Sequence, residues 1–150
     1  GGTHIDTAVM YRNLGGVAAG LRASAVERRD VFVTTKLPPE DMGDRTGAAV
    51  ERALAELGLA YVDLLLVHWP GKVTYDPAVD PPCVLPGRGS RPLPDWSECR
   101  SLTWRAFLRL QAEGRAREIG VSNYEASHLQ EIAEAGLAMP AAIQLEFHPW

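Results

Sequence analysis

The sequence predicts an α/β fold with a parallel β-sheet, and it favours a (β/α)8 (TIM) barrel over a doubly wound sheet. Short β-branched runs alternate with longer stretches rich in Ala, Leu, Glu and Arg, in the order β-α-β-α-β-loop-α-β-α-β. Strands that alternate with helices form right-handed βαβ units and therefore a parallel sheet. Each predicted strand ends in polar residues, and the carboxyl ends of barrel strands all meet on one face. The GxGxxG turn typical of dinucleotide-binding doubly wound sheets is absent from the sequence.

Five short segments have the apolar and β-branched composition of strands. Segment 31–36 is the clearest, because it contains Val, Phe and Thr in close succession. Segment 61–68 is a nearly continuous apolar run, which is typical of a parallel strand buried on both faces. The predicted strands are 3–6, 31–36, 61–68, 118–122 and 143–147.

Four longer segments have helical periodicity. In segment 45–57 the apolar residues share one face, Asp44 is the expected N-cap, and Gly58 ends the helix. Segment 14–26 is weakened by three glycines, each costing about 1 kcal/mol relative to Ala. The predicted helices are 14–26, 45–57, 101–113 and 126–135.

Segment 70–94 is predicted to be a long loop. It contains seven prolines and three glycines without a sustained period. Loops longer than about 15 residues are usually functional or disordered. We therefore expect residues 1–150 to form a single partial-barrel domain in which this loop is the most mobile internal segment and lies over a pocket.

The composition argues against several classes of protein. A formal net charge of −4 and a pI of about 5.5 disfavour a nucleic-acid surface, which needs clustered Lys and Arg. The absence of an 18-residue apolar run predicts no membrane span. With no secretory leader visible, we expect a cytoplasmic protein.

The two cysteines, Cys83 and Cys99, lack the spacing of a metal site. They stand sixteen residues apart, with no CxxC and no flanking histidine. We expect two free thiols in a reducing cytosol, with a loop-closing disulfide as the alternative, and we expect no bound metal.

Four residues near strand ends suggest carbonyl chemistry. A Lys36 ammonium at a buried strand end needs a counter-ion, and Asp6 on the neighbouring strand can supply it. An ammonium beside a phenol stabilises the phenolate left after proton donation, so Tyr11 is a candidate general acid. His68 follows an apolar strand and can orient a carbonyl oxygen. Each residue alone also has an ordinary structural explanation, so the prediction depends on their convergence.

Five motifs, in this order over nearly the whole chain, resemble those of the aldo-keto reductase family. The first contains Asp6 and Tyr11 five positions apart, the second and third contain Lys36 and His68, and the last two contain the ends of the fourth and fifth predicted strands. They are Thr-His-Ile-Asp-Thr-Ala-Val-Met-Tyr-Arg-Asn at 3–13, Thr-Thr-Lys-Leu at 34–37, Leu-Leu-Leu-Val-His-Trp-Pro at 64–70, Gly-Val-Ser-Asn-Tyr at 120–124 and Ile-Gln-Leu-Glu-Phe-His-Pro at 143–149.

The resemblance implies an NAD(P)H-dependent oxidoreductase that reduces aldehydes or ketones to alcohols. Tyr11 would donate the proton, and Lys36 with Asp6 would make the Tyr11 phenol give up that proton more readily. His68 would orient the small-molecule carbonyl substrate. Asp6 would also belong to the cofactor site.

Further residues follow from the same resemblance. Ser122, Asn123 and Gln144 would bind the nicotinamide carboxamide, while Trp69 and Met10 would line the substrate pocket. NADPH is the implied cofactor. NADH is not excluded, because the family contacts the 2′-phosphate largely outside the strands matched here, which are strands two to six.

The sequence departs from the family pattern at two positions and in length. Leu14 stands where the family usually has Glu, which predicts a weakly anchored first helix. Pro38 stands where many members have a pocket Trp, which predicts a less aromatic pocket. Complete barrels need about 250 residues, so the alternatives are a catalytically silent fragment or a nucleotide-binding regulatory subunit of the same fold.

Overall fold

Five parallel strands form one sheet in which each strand neighbours the next along the chain. The computed structural model describes residues 2–72, 83 and 96–148. The strands are β1 (His4–Asp6), β2 (Phe32–Leu37), β3 (Val62–Val67), β4 (Ala116–Ser122) and β5 (Ala142–Gln144). This sequential order confirms the predicted βαβ arrangement, because a doubly wound sheet would reverse its strand order at a switch point.

A helix follows each of the first four strands. The helices are α1 (Leu14–Ala23), α2 (Thr46–Leu57), α3 (Ser97–Ala112) and α4 (Ala126–Glu134). Gly58 ends α2 as predicted, since its φ of 66° lies in the left-handed region that glycine adopts without a steric penalty. Across the part of the chain that is described, no helix has the length and apolar composition needed to cross a bilayer.

The sheet is strongly curled. Gln144 Nε2 donates a hydrogen bond of 2.6 Å to Asp6 Oδ2, although these residues stand on the outermost strands β5 and β1. In a flat sheet the first and fifth strands would lie about 19 Å apart. The curl brings the carboxyl ends of the strands around one cleft, as expected for part of a (β/α)8 barrel.

The helices pack their apolar faces against the sheet in one buried cluster. Leu54 and Leu57 of α2, and Trp104 and Phe107 of α3, are all 3% exposed or less. Leu14 is only 1% exposed, so the predicted weak anchoring of α1 is wrong. Its apolar side chain holds the start of α1 by burial.

Two predicted helix starts are wrong. α2 begins at Thr46, and its N-cap is Arg45, not the predicted Asp44. The Arg45 guanidinium donates to Glu40 O, and no side chain forms a capping hydrogen bond. α3 begins at 97, four residues before the prediction. Its first turn lies directly after the Pro/Gly-rich segment, where periodicity is hard to detect.

The last strand is shorter than predicted. β5 comprises only Ala142–Gln144, and its pairing with β4 ends at Ser122 opposite Gln144. The chain then turns at Asn123, which has φ 59°, so residues 145–147 have no strand of β4 to pair with. The predicted mobile loop 70–94 falls largely outside the described residues.

The two cysteines form a disulfide, so the prediction of free thiols is wrong. Cys83 and Cys99 have Cα atoms 6.1 Å apart, which lies in the range that a disulfide spans. Cys83 lies against the first turn of α3, and the sequence spacing of the two cysteines carries no signal of this contact. The cysteine sulfurs are consequently no longer evidence for a reducing compartment.

Candidate active site

A buried ammonium lies at the centre of the cleft. Lys36, near the end of β2, is 2% exposed. Its Nζ forms an ion pair with Asp6 Oδ1, donates to Thr7 O at 3.2 Å and lies 3.3 Å from the Tyr11 hydroxyl. The structure therefore brings together Asp6 and Tyr11 of the first motif and Lys36 of the second.

The position of Tyr11 follows from a tight turn after β1. Residues Val9–Tyr11 form a 3-10 turn, closed by Arg12 in the left-handed conformation with φ 53°. The Thr7 hydroxyl donates to Asn13 Oδ1 at 2.8 Å and ties the two ends of this segment. The turn directs the phenol back over Lys36, whose Nζ lies 5.0 Å from the ring centroid.

The hydrogen bonds of Lys36 determine the role of the phenol oxygen. An ammonium has three donors and no acceptor, so the oxygen of Tyr11 must accept from Lys36. The three contacts of Lys36 account for all three donors. The proton of the Tyr11 hydroxyl is then available to another partner in the cleft, where the Tyr11 side chain is half exposed.

His68 completes the predicted set. It directly follows β3, is 8% exposed, and its ring meets the Tyr11 ring edge-on with centroids 5.8 Å apart. Burial, and secondly the positive charge of Lys36, lower the pKa of His68 below its ordinary value; the Asp6 carboxylate opposes this only in part. The imidazole is therefore neutral near pH 7, and its Nδ1 has no hydrogen-bond partner among the described residues.

Hydroxyl and amide groups border the cleft at β4 and β5. Asn123 Nδ2 donates to His68 O at 2.9 Å and to Ser122 Oγ at 3.1 Å. The Asn123 N–H donates to Gln144 O at 3.0 Å, which links the ends of the two strands. Gln144 reaches across the cleft to Asp6. The three residues predicted to bind the carboxamide thus stand together at the ends of β4 and β5.

The two predicted substrate-pocket residues are partly exposed, each next to a residue of the predicted set. Met10 is 49% exposed in the turn that carries Tyr11, and Trp69 is 36% exposed next to His68. The rings of Trp69 and His68 are 6.4 Å apart and nearly parallel. Contact of either side chain with a substrate stays a prediction.

Two groups that contact the predicted site residues or the segment after His68 are not predictable from the sequence. The Thr7 carbonyl accepts from Lys36, and a backbone acceptor leaves no sequence signal. Arg100 donates to Pro70 O at 3.1 Å and so touches the segment that follows His68, but it stands within a helix and has no motif around it. In the parts of the chain that are described, no group of three or more His, Cys, Asp or Glu side chains is arranged to hold a metal ion.

Comparisons with known proteins agree with this geometry. The family model "Aldo/keto reductase family" matches residues 1–150. A glyoxal reductase of Bacillus subtilis is 38% identical over 146 residues, covering 97% of this chain and 44% of that protein. A crystal structure of an aldo/keto reductase from Brucella melitensis superposes with a TM-score of 0.79 at 37% identity, covering 99% of this chain and 48% of that one.

A third relative was solved with a nucleotide. The structure of a Bombyx mori aldo-keto reductase in complex with NADP has a TM-score of 0.74 at 29% identity, covering 97% of this chain and 44% of that one. The chain thus spans less than half the length of these relatives, and its five curled strands correspond to part of their barrel. Because the family model matches every residue from 1 to 150, this chain belongs to the aldo/keto reductase family.

Proposed function

We propose that the complete barrel containing these residues reduces aldehydes or ketones to alcohols with NADPH, and that Tyr11 donates the proton. The observation that carries the proposal is the Lys36 ammonium, which is buried, held by Asp6 and Thr7 O, and in contact with the Tyr11 oxygen. This contact leaves the phenol proton free to move to a carbonyl oxygen. It also places a positive charge beside the oxygen on which negative charge develops.

His68 is the residue that orients the carbonyl in this proposal. Its lowered pKa keeps it neutral, so one ring nitrogen carries a proton and the other does not. Nδ1 is buried without a partner among the described residues, and an unpaired acceptor costs less than an unpaired N–H. The favoured tautomer therefore carries the proton on Nε2, from which it can be donated to a carbonyl oxygen.

The residues at β4 and β5 fit a nicotinamide carboxamide. A carboxamide offers one acceptor oxygen and two N–H donors, and the Ser122 hydroxyl with the Asn123 and Gln144 amides supplies both kinds of partner. Gln144 donates one side-chain N–H to Asp6, and among the described residues its side-chain oxygen and second N–H have no other partner. A reduced nicotinamide, when bound there, supplies hydride to the carbonyl carbon. The NADP complex of the silkworm relative supports this choice of cofactor.

The proposal is tested with the full-length protein that contains these residues. Oxidation of NADPH should depend on both protein and an aldehyde such as 4-nitrobenzaldehyde, and titration should change the fluorescence of bound NADPH. A parallel titration with NADH determines which nucleotide is preferred. Nucleotide binding without aldehyde-dependent oxidation would contradict a reductase and favour a nucleotide-binding regulatory role.

A further inference from the structure

We propose that Arg100 is a positioning residue that holds segment 68–71 and so determines which carbonyl compounds fit beside Trp69. The inference deepens the proposed reductase function and rests on it. The segment begins with His68, which faces Tyr11, and continues into the Trp69 side of the cleft. A residue that holds it controls the shape of the substrate site without touching the reacting atoms.

Arg100 makes three hydrogen bonds with different parts of the fold. Its guanidinium, on α3, binds both carboxylate oxygens of Glu131 on α4, with Nε–Oε2 at 2.7 Å and Nη2–Oε1 at 2.5 Å. Nη1 donates to Pro70 O at 3.1 Å. The Arg100 side chain is only 12% exposed. The two hydrogen bonds to Glu131 hold the partly buried guanidinium in one orientation. In this orientation the Nη1 edge of the guanidinium points at the Pro70 carbonyl.

A second polar contact holds the same segment near His68. Asn123 Nδ2 donates to His68 O at 2.9 Å, two residues before the carbonyl that Arg100 binds. Trp69 lies between these two carbonyl groups. Its backbone is therefore fixed at both flanks by side chains from α3 and from the end of β4.

Apolar packing alone does not immobilise Trp69, because a cavity of about 290 Å³ lies beside it. Trp69, Gly71, Trp96, Arg100 and Asn123 are among its lining residues. The backbone is close-packed at Gly71, since a Cβ there would lie 2.7 Å from Trp96 Cγ. The cavity beside Trp69 still offers space into which the indole can swing once the Arg100 hydrogen bond to Pro70 O is lost.

The charge balance favours positioning over recognition of a charged substrate. The Arg100 guanidinium is neutralised by the Glu131 carboxylate at 2.5 Å. A paired and largely buried cation offers little attraction to an external anion. Arg100 is therefore expected to discriminate carbonyl compounds by size and not by charge.

The experiment compares Arg100→Met with a matched surface variant, Arg115→Met, in the full-length protein. Arg100→Met keeps an unbranched apolar stem but removes every donor, whereas Arg115→Met removes a half-exposed ion pair with Glu51. Two aldehydes are used, small acetaldehyde and bulky 4-nitrobenzaldehyde. Arg100→Met should change the ratio of the two kcat/KM values about tenfold, chiefly through KM for the bulky aldehyde. Arg115→Met should leave the ratio unchanged.

Hydrogen exchange gives a readout that does not require turnover. The amides of Trp69 and Gly71 should exchange faster in Arg100→Met than in the wild type, and at the wild-type rate in Arg115→Met. If Arg100→Met does not fold, Glu131→Gln removes the carboxylate that orients the guanidinium, and it should shift the substrate ratio in the same direction.

Two different failures are distinguishable. Absence of aldehyde-dependent oxidation in the wild type refutes the proposed function. Unchanged exchange of the Trp69 and Gly71 amides in Arg100→Met refutes the positioning role. Equal losses of kcat/KM for both aldehydes in Arg100→Met and in Glu131→Gln refute it as well.

Discussion

The Asp6 carboxylate joins the first and last strands of the sheet, because Oδ2 accepts from Gln144 Nε2 at 2.6 Å while Oδ1 pairs with Lys36. One carboxylate thus contacts both the ammonium that holds Tyr11 and an amide proposed to bind the nicotinamide. Asp6 therefore links the proposed proton donor to the proposed cofactor contacts through hydrogen bonds and an ion pair.

Asp6→Asn is expected to reduce stability. The variant leaves the ammonium of Lys36, which is 2% exposed, without a counter-ion. Losing one partner of a buried pair leaves an uncompensated charge, and because the Asp6 side chain is 38% exposed we expect a loss of only about 2 kcal/mol. Urea unfolding measures it. Glu51→Gln, which breaks the exposed pair with Arg115, is the control and should cost less than about 0.5 kcal/mol. Equal effects of the two variants would show that Lys36 does not need Asp6.

Tyr11→Phe is expected to remove the proton donor and little else. Loss of a general acid costs about 10²- to 10⁴-fold in rate. NADPH affinity should be nearly unchanged, because Ser122, Asn123 and Gln144 carry the proposed nicotinamide contacts. Steady-state turnover and NADPH fluorescence titration of the full-length protein test the two parts. Tyr61→Phe, which removes a hydroxyl that accepts from Arg117 at 2.9 Å, is the control. Wild-type turnover in Tyr11→Phe would refute the proposed mechanism.

The pKa of His68 predicts a pH dependence of stability. Burial lowers the pKa of the folded imidazole below 6.5, whereas the unfolded imidazole keeps its ordinary value. As the pH falls through 6.5 the unfolded chain binds a proton that the folded chain does not, so the free energy of unfolding decreases until the pH reaches the lowered folded pKa. His68→Asn lacks the imidazole and therefore lacks this contribution to the pH dependence of the free energy of unfolding. Urea unfolding above and below pH 6.5 should therefore show that the wild type loses more stability on acidification than the variant does.

The element types and the order of the strands were predictable because each strand is marked by β-branched or apolar residues. Element ends were less predictable. β5 stops at Gln144 because β4 turns at Asn123, and this is a tertiary constraint that a strand's own residues do not encode. Asp63 stands inside an apolar strand, yet its buried carboxylate accepts from Arg28, Arg117 and the Val33 amide. No periodicity predicts that network.

The convergence of Asp6, Lys36 and His68 was predictable because each stands at, near or directly after the carboxyl end of a parallel strand. Contacts made by backbone atoms were not, and the Thr7 carbonyl on Lys36 is an example. The disulfide was misjudged because sequence separation does not reveal that residue 83 returns to α3.

Cys83→Ser is expected to destabilise the fold. The Cys83–Cys99 bond links residues sixteen apart, and closing a loop of this length contributes about 3 kcal/mol by restricting the unfolded chain. Neither cysteine carries a thiol while the bond is intact, so an alkylating reagent added without reductant should leave both unmodified in the wild type. Mass spectrometry of an unreduced digest should recover the linked peptides. The stability difference between wild type and variant should disappear in dithiothreitol; a difference that persists would have another origin.

Gly120→Ala is expected to damage the cofactor side of the cleft. A Cβ at Gly120 would lie 2.4 Å from Ala142 O and 2.7 Å from Leu66 Cδ2, so β4 and β5 must separate or shift. Overpacking of this kind costs about 1–3 kcal/mol. Gly120 and Ala142 are register partners two residues before Ser122 and Gln144, so the shift should also weaken NADPH binding.

Gly20→Ala is the matched control for Gly120→Ala. Nothing lies within 4 Å of a Cβ at Gly20, which is inside α1, so alanine should stabilise the helix by about 0.5–1 kcal/mol. Thermal unfolding should move in opposite directions for the two variants, and NADPH affinity of the full-length protein should fall only for Gly120→Ala. Stabilisation by Gly120→Ala would mean that β4 and β5 are not closely packed at this position. If Gly120→Ala reduces stability but leaves NADPH affinity unchanged, the packing of β4 against β5 does not determine the positions of Ser122 and Gln144.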